Sequence, residues 1–584
     1  MTRRLGARWA AGACAFVLAI GAAGAQTRPT SPTVSADDLH TWLSYLASDE
    51  LGGRANFSEG LGLAASYIVE RLREWDVKPG GDAGTYFQTV SVLGVNAKSR
   101  SSVTVEVGSR TRTFKDGAGV TFPKHVGGKR RFTVDGVEFV GYGLHVPQAR
   151  IDDFAGRHLE GKAVVWLGAL GPASLDQKHR RALFARARHA TESAQAIAAI
   201  GPALPPRGED GNPGERPQGG AARGQSGPAG GERSQSGGAA PAPRTDFTTV
   251  QRLDRPVPPS VTAGDEFFEF LFSGSGTTYA QLKEKADKRQ PLPPASLDGV
   301  KLTFDLDAEY DVVRTQFTRN VVGIVEGTDP RLKDTFVAYG AHYDHVGYAE
   351  GGIDRSGDPP RRQGAVGRVT ASAIDDRVWN GADDDGSGTV ALLAIAKAFA
   401  TGVKPKRSIV LVWHAGEERG LWGSRYFVDH PPMPIDRIVA QLNLDMVGRN
   451  RDDKAAESDT VYLIGSDRIS SELHAVSEAA NAALPGPLTL DYAMNDPADA
   501  EQLYYRSDHY SYALAGIPVI FYTTGLHPDY HANTDSVDKI VFPKLARIAE
   551  LAYATGMRVA NMDHAPVRDR RGPRAGRATA TASL

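Results

Sequence analysis

Two adjacent carboxylates, Glu417 and Glu418, stand just after an apolar run, Ser408-Ile-Val-Leu-Val-Trp413. Such a pair permits a division of labour, one carboxylate binding a metal ion while its neighbour stays free as a general base. Other residues of the metal-binding type occur at comparable places. They are His342 and Asp344 in Ala341-His-Tyr-Asp-His345, the acidic run Asp383-Asp384-Asp385, Asp445 in Asn443-Leu-Asp-Met446, and His531 directly after Tyr530. Each alone has a plain structural reading. A loop histidine is commonly a hydrogen-bonding group, a triple Asp before Gly-Ser-Gly a turn and helix cap, and a Glu pair a complement to a helix dipole. Together they point to a metallohydrolase.

The elements that must position these residues are strands of an α/β sheet. From Arg319 onward the chain alternates apolar strand, loop and helix. The patterning predicts strands at 320–325, 335–339, 408–413, 438–444, 461–464 and 518–522, and helices at 387–399, 420–428, 470–483 and 543–561. The fold class read from this pattern is an α/β sheet covered by helices. In open α/β sheets, sites gather beyond the carboxyl ends of the strands. Each candidate residue follows a strand or sits where a loop enters a helix. Two further helices are expected near the N-terminus, at 37–51 and 60–74, with core-packing roles.

The chain has 584 residues, enough for more than one domain. A hydrophobic content of 41% and a charged content of 23% are ordinary for a soluble globular protein. The formal net charge is -2 and the folded part carries no basic block, so no nucleic-acid partner is expected. Arg3, Arg4 and Arg8 precede an apolar run from Trp9 to Ala23, followed by Ala23-Gly24-Ala25. This predicts a signal peptide over 1–25 and a periplasmic or secreted location. The apolar run is too short for a stable membrane span. The one cysteine, Cys14, lies within this leader, so disulfides and thiolate ligands are excluded from the remainder. A metal must then be held by His, Asp and Glu, which suits zinc, manganese or cobalt.

Short β-like runs at 102–107, 137–140 and 163–167 predict a separate, mainly β domain over 91–306. It is interrupted by 205–244, a Gly/Pro/Ser/Gln/Arg-rich segment expected to be a disordered loop. Residues 36–90 are then an N-terminal helical part of the domain completed by 307–562, and 563–584 a disordered tail. The Gly/Pro-rich stretch 350–379 emerges beside the candidate site, as a lid or as a tolerated surface insertion.

Taken as a set, these segments resemble the M28 family of zinc peptidases, the co-catalytic dizinc aminopeptidases. The matching segments are Gly340-Ala-His-Tyr-Asp344, Asn380-Gly-Ala-Asp-Asp-Asp-Gly-Ser-Gly388, His414-Ala-Gly-Glu-Glu418, Gly420-Leu-Trp-Gly-Ser424, Asn443-Leu-Asp-Met-Val-Gly448, Arg506-Ser-Asp-His509 and Tyr530-His531. Glu50-Leu-Gly-Gly-Arg54 also looks like the start of such enzymes. Gly141-Tyr-Gly-Leu144 and Leu159-Glu-Gly-Lys-Ala-Val-Val165 resemble the inserted protease-associated (PA) domain of many members. The resemblance implies two Zn²⁺ ions per site and peptide substrates. It implies His342 and Asp445 on one metal, Glu418 and His531 on the other, and Asp384 bridging. The resemblance selects Asp384 over Asp383, because the family's bridging Asp stands three residues before the Ser of a Ser-Gly pair, here Ser387-Gly388. Glu417 is implied as general base, Asp344 as the group orienting His342, and Tyr530 as a donor to the substrate carbonyl. The activity expected is removal of N-terminal residues from peptides. Alternatives within the same fold are a carboxypeptidase, a dipeptidase or a glutaminyl cyclase, and outside enzymology a catalytically silent binding homologue.

Overall fold

The structure is a computed structural model that describes residues 34–204, 245–357, 360–497 and 499–570. The leader expected over 1–25, the segment 205–244 and residues 571–584 of the expected tail lie outside the described residues. Residues 563–570 run along the start of a helix, where Glu472 accepts the amide of Val567 and Asp569 accepts the amide of Ser471.

Two ten-stranded sheets organise the described chain. The first is built on β1 (Phe87–Ser99), β2 (Ala308–Val325), β3 (Phe336–His342), β4 (Ser408–His414), β5 (Ile438–Leu444), β6 (Thr460–Ile464), β7 (Thr489–Asp491) and β8 (Val519–Thr523). Their spatial order is β1-β2-β4-β3-β5-β8-β6-β7, with Phe247–Thr249 outside β1 and Lys78–Pro79 against β2. The four central strands, β4, β3, β5 and β8, run parallel. Helices cover both faces. On one side lie α1 (Ala36–Leu46), α2 (Glu59–Glu74), α3 (Gly388–Thr401), α5 (Ser471–Ala482) and α6 (Phe542–Asn561), and on the other lies α4 (Trp422–Asp429). A strand buried on both faces cannot alternate polar and apolar residues, and this is why β3, β4 and β5 read as near-continuous apolar runs. Along β4, Ile409, Leu411 and Trp413 face one core while Val410 and Val412 face the other.

The expected elements of this part are present, with shifted ends. Strand β3 continues to His342, where it pairs with His414 at the end of β4. The expected helix 37–51 stops at Leu46. The chain then passes through a tight turn over Asp49–Arg54, with Gly52 and Gly53 at φ 52° and 67°. Glycine tolerates this left-handed region at no steric cost, and the turn carries Arg54 into the core.

The second sheet contains Ser102–Val107, Arg110–Asp116, Val137–Phe139, Ala163–Val165, Ala198–Gly201, Ser260–Ala263 and Val300–Leu306 among its strands, and it encloses its own apolar core. Helices also pack there, including Asp265–Leu271 and Tyr279–Asp287. The two sheets are joined by a long antiparallel ribbon of β1 and β2, paired from Phe87–Val321 to Ser99–Ala308. The expected break at 90/91 falls inside β1, and that at 306/307 just before β2.

Arg54 ties the turn to the loops around the carboxyl ends of the central strands. Its side chain is buried and donates to four main-chain oxygens, those of Leu46 (2.6 Å), Asn380 (2.6 Å), Gly381 (2.8 Å) and Tyr343 (3.0 Å). Burial lowers its pKa, opposed by the nearby charges of Asp535, Asp344 and Asp384. Replacing Arg54 with Leu leaves these oxygens without donors, at about 1–3 kcal/mol for each one left buried and unsatisfied. The expected outcome is a large fall in the urea-unfolding midpoint at fixed zinc. A midpoint equal to that of the parent protein would remove Arg54 from this role.

Candidate metal centre

The carboxyl ends of β3, β4, β5 and β8 lie side by side, and the candidate residues converge there. His342 is the last residue of β3, and Asp445 follows β5. Glu417 and Glu418 follow β4 after Gly416, whose φ of 80° permits the sharp exit. His531 lies on the loop after β8. Asp384 lies in the turn entering α3.

His342 Nε2 is 3.3 Å from Asp384 Oδ1 and 3.7 Å from Asp445 Oδ1. His531 Nε2 is 3.0 Å from Asp384 Oδ2 and 3.1 Å from Glu418 Oε2. Asp384 thus offers one oxygen to each group. Glu417 Oε2 is 4.0 Å from His342 Nε2. One further residue, assigned no role by the sequence pattern, joins the cluster. This is His345, whose Nδ1 is 2.9 Å from Glu418 Oε1.

The three consecutive aspartates divide the work. Asp385 accepts the amides of His342 (3.0 Å), Gly388 (2.9 Å) and Met446 (3.2 Å), pinning two strand ends to the start of α3. Asp383 accepts the amide of Gly448 and lies against His527. Asp384 alone of the three faces the histidines, held there as Asp535 accepts its amide and that of Asp383.

Asp445 is oriented by Ser507, whose hydroxyl donates to Oδ2 at 2.6 Å and accepts from the Asn443 side-chain amide at 2.9 Å. Asp344 acts differently from expectation. His342 Nδ1 lies 3.0 Å from its main-chain carbonyl, whereas the nearest carboxylate oxygen is 3.8 Å away. The carboxylate instead accepts the amides of Gly416 (2.7 Å) and Glu417 (3.2 Å) and the side-chain amide of Asn56 (2.8 Å).

The stretch 350–379 braces the loop carrying Tyr530 and His531. Arg368 donates its amide to His531 O (2.7 Å) and its guanidinium to Tyr530 O (2.6 Å) and Pro528 O (2.5 Å). Asn533 donates its side-chain amide to Ala373 O and Asp376 O. The phenol oxygen of Tyr530 accepts from Arg506 at 3.1 Å, and its ring stacks on His531.

The two adjacent glutamates are driven apart electrostatically. Burial, reinforced by Glu418, Asp445 and Asp508 against the pull of His342, raises Glu417 well above the usual carboxylate range. Burial also works to raise Glu418, but the imidazoles of His531 and His345 hold it down at about 2. Asp384 lies well below its ordinary value, because hydrogen bonds from His342 and His531 outweigh burial. Burial raises Asp344 to about 6. A proton-accepting Glu417 beside an ionised Glu418 is the arrangement that separates base from ligand.

Two groups of side chains could each hold a cation, His342 with Asp384 and Asp445, and His345 with Asp384 and Glu418. Asp384 Oδ2 and Glu418 Oε1 are buried without a hydrogen-bond partner. Buried carboxylates need pairing or a metal, and a His/Asp/Glu donor set free of cysteine suits zinc.

Residues 320–556 match the family model of Peptidase family M28. That segment of the chain is similar to this family. A relative in Arthroderma otae, named as a probable leucine aminopeptidase, is 30% identical over 194 residues. The match covers 31% of this chain and 49% of that protein, so this chain spans about half of that relative's length. A protein of the same name in Trichophyton verrucosum is 26% identical over 346 residues, covering 51% of this chain and 84% of the relative. The solved aminopeptidase from Aneurinibacillus sp. strain AM-1 aligns at 16% identity and a TM-score of 0.41, over 92% of this chain and 96% of its own.

Because the Asp344 carboxylate holds Glu417 while its carbonyl holds His342, substitution by Asn separates the two contacts. The side-chain NH₂ then replaces one acceptor oxygen, facing either the amides of Gly416 and Glu417 or the side-chain amide of Asn56. Asp344→Asn is expected to lower kcat by about 10²-fold, the scale of a misplaced catalytic group, with zinc content unchanged by elemental analysis. An unchanged kcat would show that Glu417 needs no such anchor.

Proposed function

We propose that this chain is an exported aminopeptidase that holds two zinc ions per site and removes N-terminal residues from peptides. The observation that carries this reading is the convergence of His342, Asp384, Glu418, Asp445 and His531 around one buried point, with a proton-accepting Glu417 beside them. The relatives' names support an aminopeptidase. Among the described residues no helix is long and apolar enough to cross a membrane, and the leader pattern supports export. The second sheet is proposed to be an inserted PA-like domain, hung on the β1–β2 ribbon.

His342 and Asp445 would hold one zinc, Glu418 and His531 the other, with Asp384 shared. When bound, the pair lowers the pKa of water and polarises the scissile carbonyl. The chain's own residues do the rest. Glu417, its amide anchored on Asp344, takes a proton from the attacking water and returns it to the departing amine. The acidic groups around it read the free α-amine of the substrate. Tyr530 directs its phenol proton at the carbonyl oxygen as negative charge develops there. Arg506 occupies a lone pair of that phenol and leaves its proton for the substrate.

Two substitutions test the division between ligand and base. Asp384→Ala is expected to lose both metals. Glu417→Gln is expected to keep both and lose about 10²–10⁴-fold in kcat. Zinc analysis with initial rates on aminoacyl-anilides reads both, and full activity in Glu417→Gln would sink the mechanism. Tyr530→Phe keeps the ring and removes the donor. It is expected to lower kcat by about 10²-fold with KM little changed and both metals retained. A parental kcat would leave Tyr530 a packing residue.

A further inference from the structure

His345 is absent from the ligand set read from the sequence, yet its ring is among the most enclosed groups of the site. Its side chain is fully buried, and its amide donates to Arg54 O at 3.1 Å. The ring occupies space kept open by Gly381. That glycine has φ 57°, and a Cβ there would lie 2.5 Å from the His345 ring. Nδ1 is 2.9 Å from Glu418 Oε1 and 4.0 Å from Asp384 Oδ2. Among the described residues neither ring nitrogen has an atom in hydrogen-bonding geometry, and neither do Glu418 Oε1 and Asp384 Oδ2. A histidine that merely supported Glu418 would donate a hydrogen bond to it. Three buried atoms that crowd together without bonding one another are placed as ligands of a common cation would be.

We propose that His345 is a fourth protein ligand of the second metal position, which makes the two positions unequal. The proposal rests on the two-metal reading above. The second position then has Asp384, Glu418, His531 and His345, a complete set for zinc, whereas the first has only His342, Asp384 and Asp445. Closed four-ligand zinc sites retain their metal, and sites with three protein ligands keep a place for water or substrate. The second ion is therefore the retained one, and the first the labile one that the substrate meets. His345 enters the reaction only through the metal it holds.

The test counts metal and needs no turnover. Parent protein stripped stepwise with 1,10-phenanthroline is expected to lose one zinc readily and the second only at much higher chelator. Apoprotein titrated with cobalt(II) is expected to give the intense visible absorption of a four-coordinate ion with the first equivalent, and a weaker band with the second. In His345→Ala, the affinity for the second-position metal is expected to fall by more than the 10–100-fold typical of losing an outer hydrogen-bond partner of a ligand. Asp445→Ala is expected to keep that metal and lose the other. If His345→Ala does not fold, His345→Phe fills the same space without a donor, and the parent cobalt titration stands by itself. A parent protein that binds only one equivalent overturns the two-metal reading. Two equivalents with a weak first cobalt band, or a His345 variant within about 100-fold of the parent affinity, overturn the assignment of His345 alone.

Discussion

Five carboxylates, Asp344, Asp384, Glu417, Glu418 and Asp445, are packed into one nearly water-free point beyond four parallel strands. Each would prefer water, and each raises the cost of ionising its neighbours. Such a concentration of buried negative charge persists only if cations share the space. In the metal-free protein the imidazoles of His342 and His531 supply positive charge, both holding protons well above their ordinary pKa against the pull of burial. A bound cation would take over that role, since histidine ligands bind metal in their neutral form. The same crowding sorts the carboxylates. Asp384 and Glu418, both in contact with His531, are held below their ordinary values, while burial and neighbouring acids raise Glu417 and Asp445.

Holding such a cluster requires a rigid frame, and the frame is made of main-chain contacts to buried polar side chains. Asp385 joins the ends of β3 and β5 to the start of α3. Arg54 joins the turn after α1 to the loops at Tyr343 and at Asn380-Gly381. Asp535 joins the His531 loop to the acidic run, and Arg368 fastens that loop from outside. None of these four groups is in the proposed ligand set, yet each fixes a segment that carries part of it. In the acidic triplet, a capping aspartate, a bracing aspartate and one that faces both histidines occupy consecutive positions.

The β1–β2 ribbon has a comparable role on a larger scale. One end of β2 lies beside β4 in the catalytic sheet, and its other end leads into the second sheet. Pairing along the whole ribbon makes it a stiff connection, so the second sheet is attached to an inner strand of the first.

Much of the catalytic part was legible in the sequence. The β-branched and aromatic runs of β3, β4, β5 and β8 could be little else than strands buried on both faces, and the residues beyond them were of a type that has few uses at a strand end. The pattern of runs pointed to the α/β class, and resemblance to a known family marked Asp384, Glu417, Glu418, Asp445, His342 and His531 as the candidates that the fold brings together. Tertiary structure decided the rest. His345 follows Asp344 directly, and only the turn after β3, held by Arg54 and admitted by Gly381, brings its ring to Glu418. Asp344 carries an ordinary motif position, but which of its oxygens faces His342 and which faces Glu417 depends on the register of β3 against β4. The stretch 350–379 has a composition that suits any exposed insertion, and its bracing role depends on where Arg368 meets the loop after β8. Periodicity and residue type report what a segment buries along its own length, whereas these roles depend on contacts between segments far apart in the chain, set by strand register and loop conformation.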